Sequence, residues 1–198
     1  MVFAPFALSL VLLLFLALVA LIILVQLRVL AYAYRKIGVR PRYVFMVMVL
    51  SLLGSWVNIP LYTVNQGATV VAINVGGALI PVLVSIYLAL HTRMFGRMLA
   101  GTAIVAGVVH SMAEIVPGVG IAVPILIPPL LAAGVGLLLA FRRAPPVAYV
   151  AGAMGTLVGA DLLNLPRIHQ LGAPVLSIGG AGTFDGIFLT GIIAGLLA

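Results

Sequence analysis

The sequence predicts an all-α fold: a polytopic transmembrane helix bundle of about seven segments, with broken helices and a re-entrant segment before the last helix. Three observations predict it. Long apolar runs recur along the chain, charge is confined to the short gaps between them, and prolines and glycines interrupt the runs. Only 7% of the 198 residues are charged, where a soluble domain carries about 25%. So few charges cannot cover a water-facing surface, and with a mean hydropathy of +1.37 the lipid bilayer must solvate most of the exterior. A single integral membrane domain, 1–198, is expected.

Each run has its own boundary signals. The first, 4–27, is too long for a signal peptide and lacks a basic leader, so it reads as a retained helix. The second, 43–64, follows Arg42 and contains Asn58-Ile59-Pro60. The third, 68–90, carries Asn74, the pair Gly76-Gly77 and Pro81, and stops at His91. The fourth, 97–116, carries His110 and Glu114 and is closed by Pro117. The fifth, 119–141, is punctuated by Pro124, Pro128 and Pro129. In the sixth, 145–164, Gly152, Gly155 and Gly159 allow close helix packing. The seventh, 183–198, is short: a straight helix from Phe184 to the end reaches only about 22 Å. The stretch before it, 175–182, is rich in glycine, which permits a tight non-helical dip.

Seven segments put the basic clusters on one side: Arg28, Arg35, Lys36, Arg40 and Arg42, then Arg93 and Arg97, then Arg142 and Arg143. The positive-inside rule makes that side cytoplasmic, with the N-terminus outside and the C-terminus cytoplasmic in the cell membrane. The net charge of +7 reflects missing acids more than a basic patch, which excludes a nucleic-acid partner. The absence of cysteine removes disulfides, thiolate metal sites and cysteine nucleophiles. No metal and no cofactor are expected. The expected partners are the lipid bilayer, a small solute or ion, and a second copy of the chain if one copy is too small to enclose a path.

The chain has three acidic residues, Glu114, Asp161 and Asp185, all inside or at the edge of apolar runs. Ionisable groups placed there are functional-site candidates. Counting from the basic clusters at about 1.5 Å per residue, Asn58 stands about 24 Å away, Asn74 and Glu114 about 26 Å, and Asp161 about 27 Å. His110 lies one turn below Glu114, and Asn164 one turn beyond Asp161. Asp185 stands near 20 Å if the last helix emerges at the basic side. The candidate binding set is therefore Asn58, Asn74, His110, Glu114, Asp161, Asn164 and Asp185.

Each residue also has a plainer role open to it. Asp185 would balance a helix N-terminus, with Thr183 as the cap. Asp161 would pair with Arg167, and His110 with Glu114 as an internal hydrogen bond rather than a proton relay. The asparagines of Asn58-Ile59-Pro60 and Asn164-Leu165-Pro166 would satisfy carbonyls that proline leaves free. His91 and His169 fall in loops and read as solvated. The two Asn-x-Pro blocks, each followed by a glycine dip, hint at an internal repeat, and such paired breaks point to transporter sites.

The blocks 54–61, 73–78, 159–164 and 179–186 (the last Gly179-Gly180-Ala181-Gly182-Thr183-Phe184-Asp185-Gly186) resemble an uncharacterised multi-pass membrane family of archaea and bacteria, a domain of unknown function. The likeness runs from the second segment onward and implies a membrane location without an activity.

Three functions are open. A small transporter or channel would use the polar layer for a cation or a proton-linked solute, because a desolvated carboxylate has its pKa raised toward neutrality. An intramembrane aspartyl peptidase would use Asp161 and Asp185 as a catalytic pair sharing a proton. Neither aspartate sits in the Gly-x-Gly-Asp block of known membrane aspartyl peptidases. A non-catalytic scaffold or lipid-binding subunit would use the layer only to hold broken helices. The sequence leaves open whether the protein is an enzyme. His110-Ser111 are adjacent and point to different sides of a helix, and no nucleophile elbow is present, which argues against a serine hydrolase.

Overall fold

The computed structural model describes residues 3–64, 69–116, 120–170, 174–180 and 186–198, the side chains of 3–11 and 168–170 excepted. Most of these residues are helical. The α-helices are α1 (Phe3–Lys36), α2 (Pro41–Gly54), α3 (Ile80–Thr92), α4 (Phe95–Met112), α5 (Ile127–Ala140), α6 (Ala144–Thr156) and α7 (Gly186–Leu197). A π-helical turn, Val75–Leu79, leads into α3, and another, Leu157–Asp161, continues α6 into a 3-10 segment, Leu162–Gln170.

Four helical stretches are long and apolar enough to cross a membrane: Leu12–Lys36, Val75–Thr92, Phe95–Met112 and Ile127–Arg167. Helices α2 and α7 are apolar but shorter. The last long stretch doubles back at Phe141–Arg143. A Cβ built on Gly136 would lie 2.6 Å from that of Ala148, a contact possible only in a helical hairpin. With 12 residues, α7 is about 18 Å long, less than the roughly 30 Å hydrocarbon core.

The all-α expectation needs correction. The expected second and third segments, 43–64 and 68–90, are helical only in part. Strands β1 (Asn58–Val64) and β2 (Thr69–Asn74) form an antiparallel pair with Asn58 opposite Asn74. Strand β5 (Val175–Ile178) adds to β2 in parallel, Ile73 opposite Ile178. The segment expected to dip is thus an edge strand ending in a turn at Gly179, whose φ of 68° suits glycine. A second hairpin, β3 (Glu114–Val116) with β4 (Gly120–Ala122), ends the expected fourth segment and opens the fifth. β-Branched residues explain the switch: Ile59, Thr63, Val64, Thr69, Val70, Val71 and Ile73 favour the pleated sheet, and Pro60 removes a helical N–H donor.

Helix α6 is the hub, and its small residues set the spacing. Added Cβ atoms would meet Val105 of α4 at 2.6 Å from Gly155, and Thr190 of α7 at 3.1 Å and Ala132 of α5 at 3.2 Å from Gly152. The expected packing role of Gly152, Gly155 and Gly159 agrees with these contacts. By contrast, α1 has no buried residue from Leu12 to Val29; Ala33 and Tyr34, then Ile37 just beyond it, enter the core. Its exposed leucines and Phe15 would be an aggregation surface in water and are ordinary in lipid.

The basic clusters do share one end. Lys36 Nζ donates to the Leu196 carbonyl at 2.6 Å, which brings the ends of α1 and α7 together. A Cβ on Gly195 would meet Ile37 at 2.3 Å and the Pro145 carbonyl at 3.5 Å. Arg93, Arg97, Arg142 and Arg143 line one cleft. On the same side, the Arg42 guanidinium lies 4.6 Å from the centre of the Tyr43 ring, Tyr43 meets Tyr87 edge to face, and Tyr87 stacks on His91 with centroids 5.5 Å apart. Such amphipathic rings suit a membrane–water boundary.

Gly136 and Gly134 provide a paired test of this architecture. Gly136→Val, which would drive a side chain into the Ala148 backbone, is expected to lower stability by about 1–3 kcal/mol. Gly134→Ala, where a Cβ meets nothing within 4 Å, is expected to be neutral or to add up to ~1 kcal/mol. Thermal unfolding of the two variants in detergent measures the contrast.

Candidate functional site

At the end of the bundle away from the basic clusters, strand, π-turn and helix meet in one polar junction. Its centre is Asn74, the last residue of β2 and the cap of the π-turn that opens α3. Its side chain is 1% exposed and makes three bonds. Nδ2 donates to the Ser55 carbonyl at 2.8 Å and to Asn58 Oδ1 at 3.0 Å, while Oδ1 accepts the Gly77 N–H at 2.8 Å. Asn58 Oδ1 also accepts from the Ser177 hydroxyl. The Val75 N–H goes to the Val57 carbonyl at 3.0 Å, so the side-chain bonds and the backbone bridge the same two segments.

The glycine turn after β5 closes the junction from the other side. A Cβ on Gly179 would fall 2.6 Å from Ala78 Cβ and 2.8 Å from the Gly77 carbonyl carbon, so only glycine permits this approach to the π-turn. The two glycine blocks that look alike in the sequence, 76–77 and 179–180, are thus packed together. The Gly179 N–H donates to Asp161 Oδ2 at 2.9 Å. Asp161 closes the second π-turn, where a carboxylate opposes the helix dipole. Receiving a backbone N–H from a distant turn is one reason for its presence there.

One turn further on, Asn164 is 1% exposed. Its Nδ2 donates to the Ala160 carbonyl at 2.9 Å and the Gly159 carbonyl at 3.2 Å, where the π-turn passes into the 3-10 segment. His110 Nδ1 lies 3.3 Å from the Gly159 carbonyl and 3.4 Å from Asn164 Nδ2. Asn164 Oδ1, by contrast, is buried with no hydrogen-bond partner among the described residues.

The family model described as Protein of unknown function (DUF1614) matches residues 36–197. The chain belongs to the DUF1614 family. The match takes in the whole polar junction and all helices except most of α1. No curated protein and no solved structure matches the chain.

Within this DUF1614 domain, the structure brings together Asn58 and Asn74, and separately His110 and Asn164, with Asp161 tied to the turn that joins them. Glu114 departs from its expected place. Helix α4 stops at Met112, Ala113 is extended with ψ 120°, and Glu114 is exposed on β3 rather than one helical turn above His110. The β-branched Ile115 and Val116 favour that strand over another turn of helix. Neither described acid is a buried carboxylate, since Glu114 is exposed and Asp161 half-buried. Asp185 lies outside the described residues, and so does Thr183. Among the described residues no group of three or more His, Asp or Glu could hold a metal ion. Ser55, Ser177 and the Gly179 N–H are the members that sequence reasoning missed. Ser177 carried one signal, a polar residue alternating with Leu176 and Ile178.

Removing Asn74 is the sharpest test of the junction. In Asn74→Ala the buried Gly77 N–H loses its acceptor, an expected cost of about 1–3 kcal/mol. Amide exchange at Gly77 should quicken more than exchange in the middle of α4. Equal exchange at Gly77 in wild type and variant would contradict the role assigned to this side chain.

Proposed function

We propose that this chain is a seven-segment integral membrane protein whose polar junction binds or passes a cation or a proton-linked solute. The arginine-rich end faces the cytoplasm by the positive-inside rule, which leaves the N-terminus outside and the junction in the outer half of the membrane. A homo-oligomer would supply the walls that a chain of this size lacks.

One observation carries the reading. Regular α-helical winding breaks off at two places in this junction, in the π-turn Val75–Leu79 that opens α3 and the π-turn Leu157–Asp161 that follows α6, and a buried acceptor, Asn164 Oδ1, stands there without a protein partner among the described residues. Interrupted helices supply carbonyl ends and carboxylates suited to cations. Here the C-terminal end of α6 contributes the Asp161 carboxylate, and Asn164 Oδ1 offers a neutral oxygen one turn away. A buried amide oxygen without a donor is costly, and a bound cation or water relieves that cost.

A second reading, a non-catalytic scaffold or lipid-binding subunit, is favoured by the mutual bonding of Asn58, Asn74 and Ser177, in which Asn58 Oδ1 accepts from both Asn74 Nδ2 and the Ser177 hydroxyl. An aspartyl peptidase would instead need Asp185 within reach of Asp161 through one water.

Asp161→Asn separates these readings, because an amide oxygen can still accept the Gly179 N–H while the charge is lost. Purified protein in liposomes loaded with a pH-sensitive dye is exposed in turn to sodium, potassium and proton gradients. The wild type is expected to speed the dye response over empty liposomes, and Asp161→Asn to slow it about tenfold or more with an unchanged elution profile, a loss of roughly 1.4 kcal/mol or more. A wild type no faster than empty liposomes under all three gradients, or an Asp161→Asn variant as fast as wild type, would sink the transport reading.

A further inference from the structure

The opposite end of the molecule holds a second site of different chemistry. The turns between α3 and α4 and between α5 and α6 come together around an open cleft of about 660 Å³, lined by Thr92, Arg93, Arg97, Phe141, Arg142 and Arg143 among others. Its volume falls within the usual range of ligand pockets, about 300–1,000 Å³. Four arginines from two helical hairpins therefore line one concave surface.

Three basic residues at the same end are already engaged, and the cleft arginines are not. There, Lys36 is bonded to the Leu196 carbonyl, Arg35 Nε donates to the Ala31 carbonyl, and Arg42 lies over the Tyr43 ring. Arg93, Arg97, Arg142 and Arg143 have no hydrogen-bond or ion-pair partner among the described residues. The described acidic side chains stand far from them. Glu114 follows the far end of α4 and Asp161 the far end of α6, each about 26 Å or more away along its helix. Four like charges held side by side repel one another unless an anion is shared among them.

Two further features give the site its character. Arg93 ends α3 with φ 57°, a left-handed conformation that glycine or asparagine adopts more easily. An arginine kept at such a position is an outlier of the kind found at ligand sites. Apolar side chains share the cleft wall with the arginines: Met94, Leu139 and Phe141 line it, and Phe141 is 81% exposed. Arginine forks match phosphate oxygens in pairs, and phenylalanine and leucine beside them suit acyl chains.

We propose that this cleft binds the phosphate of an anionic phospholipid headgroup, with the acyl chains lying against Met94, Leu139 and Phe141. Basic pockets between membrane helices on the arginine-rich side are suited to such headgroups. The site fixes a lipid at the joint between the two hairpins and so couples bilayer composition to the seating of α3–α4 against α5–α6. This assignment is independent of what the polar junction at the other end does.

The experiment is a titration of the full-length protein in uncharged detergent with phosphatidylglycerol and, separately, with phosphatidylcholine, bound lipid being counted by native mass spectrometry. Phosphatidylglycerol is expected to bind about tenfold or more tightly than phosphatidylcholine, and the combined substitution Arg97→Gln, Arg142→Gln, Arg143→Gln to abolish the preference. The pair Arg28→Gln, Arg40→Gln, on the other basic cluster, should keep it. Should the triple variant aggregate, Arg97→Gln alone is expected to weaken phosphatidylglycerol binding about fivefold. Equal binding of the two lipids, or a preference that survives these substitutions in the cleft, overturns the proposal. Millimolar inorganic phosphate should leave the lipid in place; if it displaces the lipid fully, the cleft is a soluble-phosphate site and the lipid assignment fails.

Discussion

A chain that changes from strand to helix inside a packed junction must find a partner for every peptide group it frees. Asn74 is where this protein meets that demand. Its amide binds a carbonyl on one side and caps the first turn of the next helix on the other. The pairing of β1 with β2, the π-turn before α3 and the position of Asn58 all converge on this residue. The glycine turn after β5 then seats on the same π-turn, so a segment about a hundred residues further along depends on it as well. Asparagine is suited to the place because it carries donor and acceptor on one short, uncharged side chain.

The rest of the fold is arranged by close approach rather than by bulk. Lipid is as apolar as leucine, so helices gain little by hiding leucine from it and much by touching one another. Helix α6 accordingly has glycine or alanine at 148, 151, 152 and 155, where α4, α5 and α7 approach closely, and where it carries Tyr149 the glycine is Gly191 of α7. Many large apolar residues are turned outward, most plainly along α1, as suits a lipid surrounding. The two ends of this bundle are chemically opposite. One gathers uncharged amides, hydroxyls and a carboxylate around interrupted backbone; the other gathers guanidinium groups and aromatic rings around tight helical turns. A membrane imposes that polarity, because its two faces and its interior reward different residues.

Much of the polar junction was legible before any fold was considered. Counting residues from the basic clusters placed Asn58, Asn74, His110, Asp161 and Asn164 at one level, and the structure gathers them at one end. The count failed for Glu114, because it assumed a helix that continues past Met112, whereas the chain turns there into a short hairpin. It also failed to see strands, because a run of apolar residues in a lipid-solvated chain has no alternation of polar and apolar faces to distinguish sheet from helix. Ile59, Thr63, Val70 and Val71 were the local hints, and propensity alone is too weak to decide between the two.

The sequence by itself determined the apolar, helix-rich character that suits a membrane, the end at which the basic clusters collect and the identity of most polar residues in the junction. These follow from composition and from spacing along single helices, and both are local properties. The tertiary structure decided which of those residues meet. Strand β5 pairs with β2, Asp161 receives the N–H of Gly179, His110 turns to the Gly159 carbonyl, and four arginines from two hairpins share a cleft. Each of these joins segments separated along the chain by a turn, a helix or more. Such contacts arise from the balance of packing, backbone satisfaction and charge across the whole bundle, which no single stretch of the sequence encodes.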